Sequence, residues 1–213
     1  MMLIGDESFD ETATIMAANS KLDLISEFDL SSLLSTSSGN VCKIEFKNIA
    51  QVNGQEKEEM FLIFEESMKA LYESTWGWDK DAKIKEIFST NAKFLIVRSE
   101  RTEEAEGIIV GWAMFKFEWD DLDEPEHPVC FCYEIHVHSS YRSHSIGGQL
   151  IRMIMEISSK LGMWKTMLSC FKINTKAISF YKKSGFDIDV NSPSRCGFPD
   201  ECHEIFSDKP SLR

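Results

Sequence analysis

The chain has 213 residues, a formal net charge of −12, 43% hydrophobic residues and 15 Phe. This composition supplies enough apolar side chains for a hydrophobic core and excludes a globally disordered chain. The acidic balance argues against nucleic acid as a direct ligand and favours a basic partner. No apolar run reaches the roughly 18 residues that a membrane span needs, and the acidic start lacks the basic n-region of a secretory signal.

The first predicted elements lie in an acidic, Ser-rich stretch. We interpret residues 1–40 as an extension, partly disordered or packed on the core, with one short helix around "SKLDLISEF", and residues 41–213 as the main domain. A strand is predicted at "VCKIEFKNI". From Glu58 onward, apolar residues recur at three- and four-residue steps, which predicts a helix. A second helix follows, with Asp79 as its N-cap.

Strands dominate the middle of the chain. "AKFLIVRS" and "GIIVGWAMFKFEW" are predicted to form a hairpin joined by the turn "ERTEEAEG", and "PVCFCYEIHV" is a third strand. A helix over 147–161 ending at Gly162, a strand at "MWKTMLSCF", a helix capped by Asn174 and two short strands at "FDIDV" and "ECHEIFS" complete the order. A meander followed by alternating helices predicts an α/β fold with a mixed, mostly antiparallel central sheet flanked by helices.

Two side-chain clusters are possible sites. An acidic run, "EWDDLDEPE", is ordinarily a solvated loop and gains meaning only beside a site; its acids are Glu118, Asp120, Asp121, Asp123, Glu124 and Glu126. The six cysteines form no C-x-x-C pair and are expected to be free thiols in a reducing compartment. Cys196, Cys202 and His203 could bind zinc, but incidental thiols on a C-terminal strand are the favoured interpretation, so no metal is expected.

The segment "YRSHSIGGQL" joins the third strand to the next helix. The first N–H groups of a helix lack intrahelical partners and attract anions, and Gly147 and Gly148 would let a ligand approach the backbone. Arg142 adds a positive charge. Taken alone, the segment could equally be an ordinary strand–helix turn with a surface Arg.

The segment together with "YEIHV" before it and "NTKAISFYKKSGF" after it resembles the acetyl-CoA-binding core of the GNAT N-acetyltransferases, over about residues 90–190. That family's phosphate loop reads Q/R-x-x-G-x-G/A, and Ser145 stands where its first Gly is expected. The resemblance implies acetyl-CoA as cofactor, with CoA as product. The cofactor-binding residues that it implies are Ile135, His136, Val137, Arg142, Ser143, His144, Ser145, Ile146, Gly147, Gly148 and Asn174.

Further segments resemble one branch of this family, the N-alpha-acetyltransferase D (NatD) enzymes; they are "LYESTWGW", "FKFE", "CYE", "LSCFKIN", "NSPS" and "HEIF". That branch acetylates the α-amine of histones H-four and H-two-A, whose tails begin Ser-Gly-Arg-Gly. It works without an auxiliary subunit, and an N-terminal segment packs around its core. The branch has Asp in place of Glu118 and Tyr in place of Phe131 and His203. The tail-binding residues that the resemblance implies are Tyr72, Trp76, Glu118, Tyr133, Ser169 and His203.

Three side chains are candidates for the chemistry. An α-amine, with a pKa near ~8, must lose a proton before it attacks a thioester, and Glu134 inside an apolar strand is the candidate base. The alternative is a structural Glu paired with a buried cation. Strand alternation separates Tyr133 from Glu134 unless a β-bulge intervenes, as is common in the family, and an N–H freed around 135–137 would then hold the developing oxyanion. Tyr181 matches the family's Tyr near the cofactor sulfur and is either the acid for the thiolate or a core aromatic.

Two other functions remain open from the sequence. A GNAT enzyme could act on lysine side chains or small amines instead. A non-catalytic module that binds acetyl-CoA or histones would explain the charge and Ser145 without catalysis. The partners expected are histone N-terminal tails, with no nucleic acid, membrane or auxiliary subunit, and a histone substrate places the chain in cytoplasm and nucleus.

Overall fold

The computed structural model describes residues 11–30, 42–99, 107–120 and 127–208, and in them six α-helices and seven strands are found. The helices are α1 Glu11–Ser20, α2 Leu24–Glu27, α3 Gly54–Glu73, α4 Lys80–Ile87, α5 Ile146–Lys160 and α6 Thr175–Lys183. The strands are β1 Cys42–Asn48, β2 Lys93–Ser99, β3 Ile109–Asp120, β4 His127–Val137, β5 Thr166–Phe171, β6 Asp187–Ile188 and β7 His203–Ser207. The observed order matches the predicted one, with α1 added at the start.

All seven strands join one sheet in the order β1-β2-β3-β4-β5-β7-β6. Among the described strands, β4 and β5 form the one parallel pair, because α5 carries the chain from one to the other. The remaining pairs are antiparallel. The predicted mixed, mostly antiparallel sheet is therefore confirmed.

The helix boundaries follow from capping side chains. Asp79 accepts a hydrogen bond from the Ala82 N–H at 2.9 Å, and Asn174 accepts one from the Ala177 N–H at 3.3 Å, which confirms both predicted N-caps. Helix α3 begins at Gly54, before the predicted Glu58, because a capping box of Asn53 and Glu56 starts it earlier.

Apolar side chains cover both faces of the sheet. On one face, buried residues of α5 such as Ile151 and Ile154 pack with Phe115 of β3. On the other face, Phe61 and Phe64 of α3 pack with Trp112. The N-terminal helices join the α5 side, because Ala18 of α1 and Leu24 of α2 are fully buried in that cluster. The domain boundary at residue 40 stays a prediction.

Strand β4 carries an extra residue at the centre of the sheet. Glu134 pairs with Met114 and Cys132 pairs with Phe115, so Tyr133 is left over as a β-bulge. Tyr133 therefore packs against the α3-side cluster, and Glu134 has its contacts on that same side. The bulge expected from the family resemblance is present, and it removes the conflict with simple strand alternation.

The strands β4 and β5 separate beyond this bulge. Their pairing is confined to Cys130–Cys132 opposite Thr166–Leu168, although β4 continues to Val137 and β5 to Phe171. One edge of β4 over 133–137 is therefore left without a strand partner among the described residues. The result is a wedge-shaped opening in the sheet.

Gly111 on β3 seats the helix that follows β4. A Cβ at this position would lie 3.0 Å from Ile146 Cγ2 and 3.2 Å from the His136 carbonyl oxygen, so a larger residue would push α5 away. The first turn of α5 is thus held against β3 and β4.

Part of the acidic run "EWDDLDEPE" belongs to strand β3. Glu118 lies in β3, as the predicted strand has it, and Asp120 also belongs to β3 rather than to a loop and is buried 2.7 Å from the Lys165 ammonium. Its other predicted members, Asp121, Asp123, Glu124 and Glu126, lie outside the described residues, as do residues 100–106 of the predicted turn "ERTEEAEG". None of the described helices is long and apolar enough to cross a membrane.

Candidate active site

A cavity of about 810 Å³ occupies the wedge between β4 and β5. Most of the residues predicted for the site line it, namely Tyr72, Trp76, Tyr133, Glu134, Ile135, His136, Val137, Arg142, Ser143, Ser145, Ile146, Gly147, Gly148, Ser169, Asn174 and Tyr181. Three predicted residues, Glu118, His144 and His203, are not among its lining residues. The described part of the chain holds no cluster of His, Cys, Asp or Glu side chains suited to a metal ion, and all six cysteines are free.

At one end of the cavity the chain turns into α5 through two left-handed residues. Ser143 has φ +67° and Ser145 has φ +66°. Ser145 is the N-cap of α5 but makes no side-chain capping bond. It therefore takes the backbone conformation that favours glycine, which is the residue the family has at this place. The substitution keeps the loop conformation at a cost in backbone strain.

We expect Ser145→Gly to raise the free energy of unfolding by up to about 1 kcal/mol, because relief of left-handed strain exceeds the entropy that glycine adds to the unfolded chain. Ser140→Gly, at an exposed position of negative φ, is the matched control and should instead lower it by roughly 0.5–1 kcal/mol. Denaturant unfolding of both variants measures the difference. Equal losses in the two would contradict the strain argument.

The first turn of α5 leaves space beside its backbone. A Cβ at Gly148 would meet nothing within 4 Å, and one at Gly147 would come no closer than 3.6 Å to the Phe180 ring. Packing within the protein therefore does not require glycine here, whereas a ligand close to the free N–H groups would. Exposed Arg142, whose Nε–H donates to the Val137 carbonyl at 3.2 Å, adds positive charge. The residues present fit the diphosphate of acetyl-CoA, with the free edge of β4 available to its acyl arm.

Glu134 lies at the other end, on the bulged part of β4. Its side chain is buried, with Oε1 3.3 Å from Lys83 Nζ and Oε2 2.7 Å from His136 Nε2. The pairing with a buried cation, one of the two alternatives for this residue, is therefore present, and Glu134 also lines the cavity.

Lys83 is held by three partners. Its ammonium contacts Glu134, donates to the Tyr72 hydroxyl at 2.9 Å and lies 2.7 Å from Glu86. Burial by itself would lower the pKa of Lys83, but its neighbours, the Glu134 carboxylate first among them, outweigh burial and raise it. Burial raises the pKa of Tyr72 to about 12, and Glu134 adds to that effect. The lysine thus stays charged and the phenol stays protonated near neutral pH.

The residues predicted for a peptide form a second group. The Tyr133 hydroxyl donates to the Glu118 carboxylate, at 2.9 and 3.1 Å from its two oxygens, so Glu118 stands behind Tyr133. The His203 ring lies 5.1 Å from the Trp76 ring, and its Nδ1 is buried without a hydrogen-bond partner among the described residues. Glu118 and His203 therefore do not line the cavity themselves, but each contacts a residue that does.

Tyr181 is buried on α6 with its side chain at the cavity. Burial raises the pKa of Tyr181 well above the ordinary phenol value, with Cys132, Cys170 and Glu134 adding to it, so the hydroxyl keeps its proton. A proton donor needs that state. Asn174 lines the cavity and also caps α6, so both roles weighed for it are compatible.

The sequence does not identify three residues that lie near Glu134 and His136 in the structure. Lys83 contacts Glu134, Glu86 contacts Lys83, and Ser67 contacts His136, but these three residues lie on α3 and α4, far earlier in the chain. One local signal existed, because Lys83 is four residues before Ile87 and shares its buried helix face. A lysine at a core position of a helix indicates a buried partner.

Comparison with known proteins agrees with this geometry. Residues 57–186 match the sequence profile of the acetyltransferase (GNAT) family, which is more than half of the chain. Three solved structures share the fold at low identity. They are the PaiA N-acetyltransferase of Thermoplasma acidophilum in complex with coenzyme A, a GNAT acetyltransferase of Staphylococcus aureus Mu50, and Arabidopsis thaliana NAA60 in complex with a bisubstrate analogue.

The three superpositions are similar in extent. The PaiA enzyme has a TM-score of 0.53 at 17% identity, over 78% of this chain and 99% of its own. The S. aureus enzyme has a TM-score of 0.55 at 17% identity, over 78% of this chain and 98% of its own. NAA60 has a TM-score of 0.51 at 14% identity, over 78% of this chain and 98% of its own. At such identities the likeness establishes the fold. With the family match and the fit of the wedge to acetyl-CoA, the chain belongs to the GNAT family and is an acetyl-CoA-dependent acetyltransferase.

Proposed function

We propose that this enzyme is a NatD-type N-alpha-acetyltransferase that acetylates the α-amine of histone tails beginning Ser-Gly-Arg-Gly. The observation that carries the proposal is the bulge on β4. It puts Tyr133 and Glu134 on one side of the sheet, at the cavity, with Glu118 bound behind Tyr133. The packing of α1 and α2 on the core agrees with the N-terminal segment of that branch.

The chemistry assigned to the chain's own groups is proton transfer and orientation. Acetyl-CoA supplies the thioester carbonyl that an amine nitrogen attacks. Glu134 accepts the proton that the α-ammonium must lose at its carboxylate. The unpaired edge of β4 around 135–137 offers N–H groups to the carbonyl oxygen as charge develops there. Tyr181, with its proton retained, donates to the leaving sulfur.

The acidic side chains around the cavity suit a basic peptide. Glu134 and Glu86 line the cavity, and Glu118 accepts a hydrogen bond from Tyr133, which also lines it. Three carboxylates therefore lie at or next to the part of the cavity assigned to the peptide. A carboxylate at Glu118 can pair with the Arg at the third place of the tail, and such charge-assisted pairs are strong. The net charge of −12 favours encounter with a cationic tail.

The same proposal extends to partners and location. A histone tail would be the macromolecular partner, bound without an auxiliary subunit and without nucleic acid or membrane. Such a substrate places the enzyme in the cytoplasm and the nucleus.

A set of three peptides tests the substrate. The first begins Ser-Gly-Arg-Gly with a free amine, the second has that amine blocked and carries lysines, and the third has Ala in place of Arg. Mass spectrometry of each after incubation with acetyl-CoA should find one acetyl group on the first and none on the second. Loss of the Arg–carboxylate pair should lower kcat/KM for the third roughly 10- to 100-fold.

Acetylation of the blocked peptide would contradict the N-terminal assignment and favour a lysine acetyltransferase. Glu118→Gln is the matched protein variant. Glu118→Gln should lower kcat/KM for the peptide with Arg and leave kcat/KM for the peptide with Ala nearly unchanged, because the pair is already lost there.

A further inference from the structure

We propose that His136 is a positioning residue whose charge decides whether Glu134 can accept a proton. The inference rests on the proposed role of Glu134 as base. His136 is buried on β4, two residues after Glu134, and its Nε2 lies 2.7 Å from Glu134 Oε2.

The other carboxylate oxygen already has a cationic partner, since Lys83 Nζ lies 3.3 Å from Oε1. A neutral imidazole adds one ordinary hydrogen bond from Nε2–H to Oε2. An imidazolium would place a second positive charge against the same carboxylate, and two cations would stabilise its charged form. Glu134 can therefore take a proton from the substrate amine while His136 is neutral, and loses that ability once the ring is charged.

Ser67 on α3 gives both charge states of the ring a partner. Its Oγ lies 3.0 Å from His136 Nδ1, and also 2.9 Å from the Ile63 carbonyl and 3.1 Å from the Phe64 carbonyl. With a neutral ring the hydroxyl donates to Nδ1. With a charged ring Nδ1–H donates to Oγ, and the hydroxyl turns to a helix carbonyl. Neither state leaves a buried donor unsatisfied, so both charge states of the ring fit the hydrogen-bond partners present.

Aromatic side chains pack against the ring. Phe64 and Trp112 pack against it, with ring centroids 5.3 and 5.0 Å away. The titratable groups around the pair are Glu134 on β4, Lys83 and Glu86 on α4, and Tyr72 on α3. His136 and Ser67 both line the cavity. An ordinary imidazole changes charge between pH 5 and 8.

The test is the pH dependence of kcat with the free-amine peptide, from pH 5.5 to 9. We expect wild-type kcat to fall about tenfold per pH unit below the titration of the ring. In His136→Gln the amide still donates to Glu134 but cannot gain a proton, so kcat should stay within about twofold over the same range. His127→Gln, at the far end of β4 beside Trp164, is the control and should keep the wild-type profile.

Ser67→Ala tests the same inference with the imidazole retained. The charged ring loses a charge-assisted hydrogen bond, so the fall in kcat should move about one pH unit lower. NMR titration of ring-labelled histidine should show the same displacement for His136 without any turnover.

The outcomes separate the two proposals. Absence of peptide acetylation by the wild type would overturn the proposed function, and the NMR titration would then decide the further inference by itself. A profile unchanged in His136→Gln, or a His136 ring that does not titrate between pH 5.5 and 9, would overturn the further inference alone.

Discussion

Replacing Glu134 with Gln is expected to lower kcat by roughly 10²–10⁴-fold while acetyl-CoA binds with nearly wild-type affinity. The amide keeps the shape of the side chain but cannot take the proton of an α-ammonium. The diphosphate site predicted at the start of α5 involves other residues, so cofactor binding should not change. Steady-state turnover of the Ser-Gly-Arg-Gly peptide and calorimetric titration with acetyl-CoA measure the two effects separately.

Glu134→Gln should also lower the free energy of unfolding, and this loss must be separated from the loss of kcat. Removing the Glu134 charge leaves Lys83 buried without one of its partners, and breaking a buried pair costs about 3–5 kcal/mol. Glu56→Gln is the matched control, because Glu56 is also buried, pairs with Lys47 and Arg98, and does not line the cavity. It should lose stability but keep kcat per folded molecule. Unchanged turnover in Glu134→Gln would show that another group is the base.

The second large effect is expected at the start of α5. Gly148→Leu should weaken acetyl-CoA binding roughly 10- to 100-fold, since the side chain would enter the space beside the free N–H groups and displace one charge-assisted hydrogen bond or more. Stability should not fall, because leucine is about 1 kcal/mol better than glycine within a helix. Calorimetry with acetyl-CoA and thermal unfolding of the free protein measure both quantities.

Gly54→Leu is the control for this substitution. Gly54 also lies in the first turn of a helix, where an added Cβ meets nothing within 4 Å, but it does not line the cavity. Its affinity for acetyl-CoA should equal that of the wild type. If Gly148→Leu binds equally well, the diphosphate does not lie at this helix terminus.

The elements that the sequence predicts well are those whose signals are local. Asp79 and Asn174 cap their helices through N–H groups three positions away, so their role is visible within four residues. The helix over 147–161 and the Gly162 that ends it are read in the same way, and the structure places them at Ile146–Lys160 with Gly162 at φ +74°. Asp120 at the end of β3 is predicted in a loop, because no local pattern indicates its partner Lys165, which is 45 positions later.

The environment of Glu134 could not be predicted in the same way. Strand, helix and loop patterns identified the residue, and His136 lies two positions later on the same strand, but the partner Lys83 and the relation of His136 to Ser67 depend on how α3 and α4 pack on the sheet. The sequence left open whether Glu134 is a base or the partner of a buried cation. The structure answers that it has a buried cation as partner and still lines the cavity, which leads to the question of what controls its proton.

The sequence by itself therefore determined the order of elements, the helix caps, the glycines at the start of α5 and the resemblance to GNAT enzymes, since each depends on side chains within a few positions of one another. The tertiary structure alone decided the bulge at Tyr133, the separation of β4 from β5, and the group of charges around Glu134. These arise where strands and helices distant in sequence compete for one space, and no local pattern encodes the outcome of that packing.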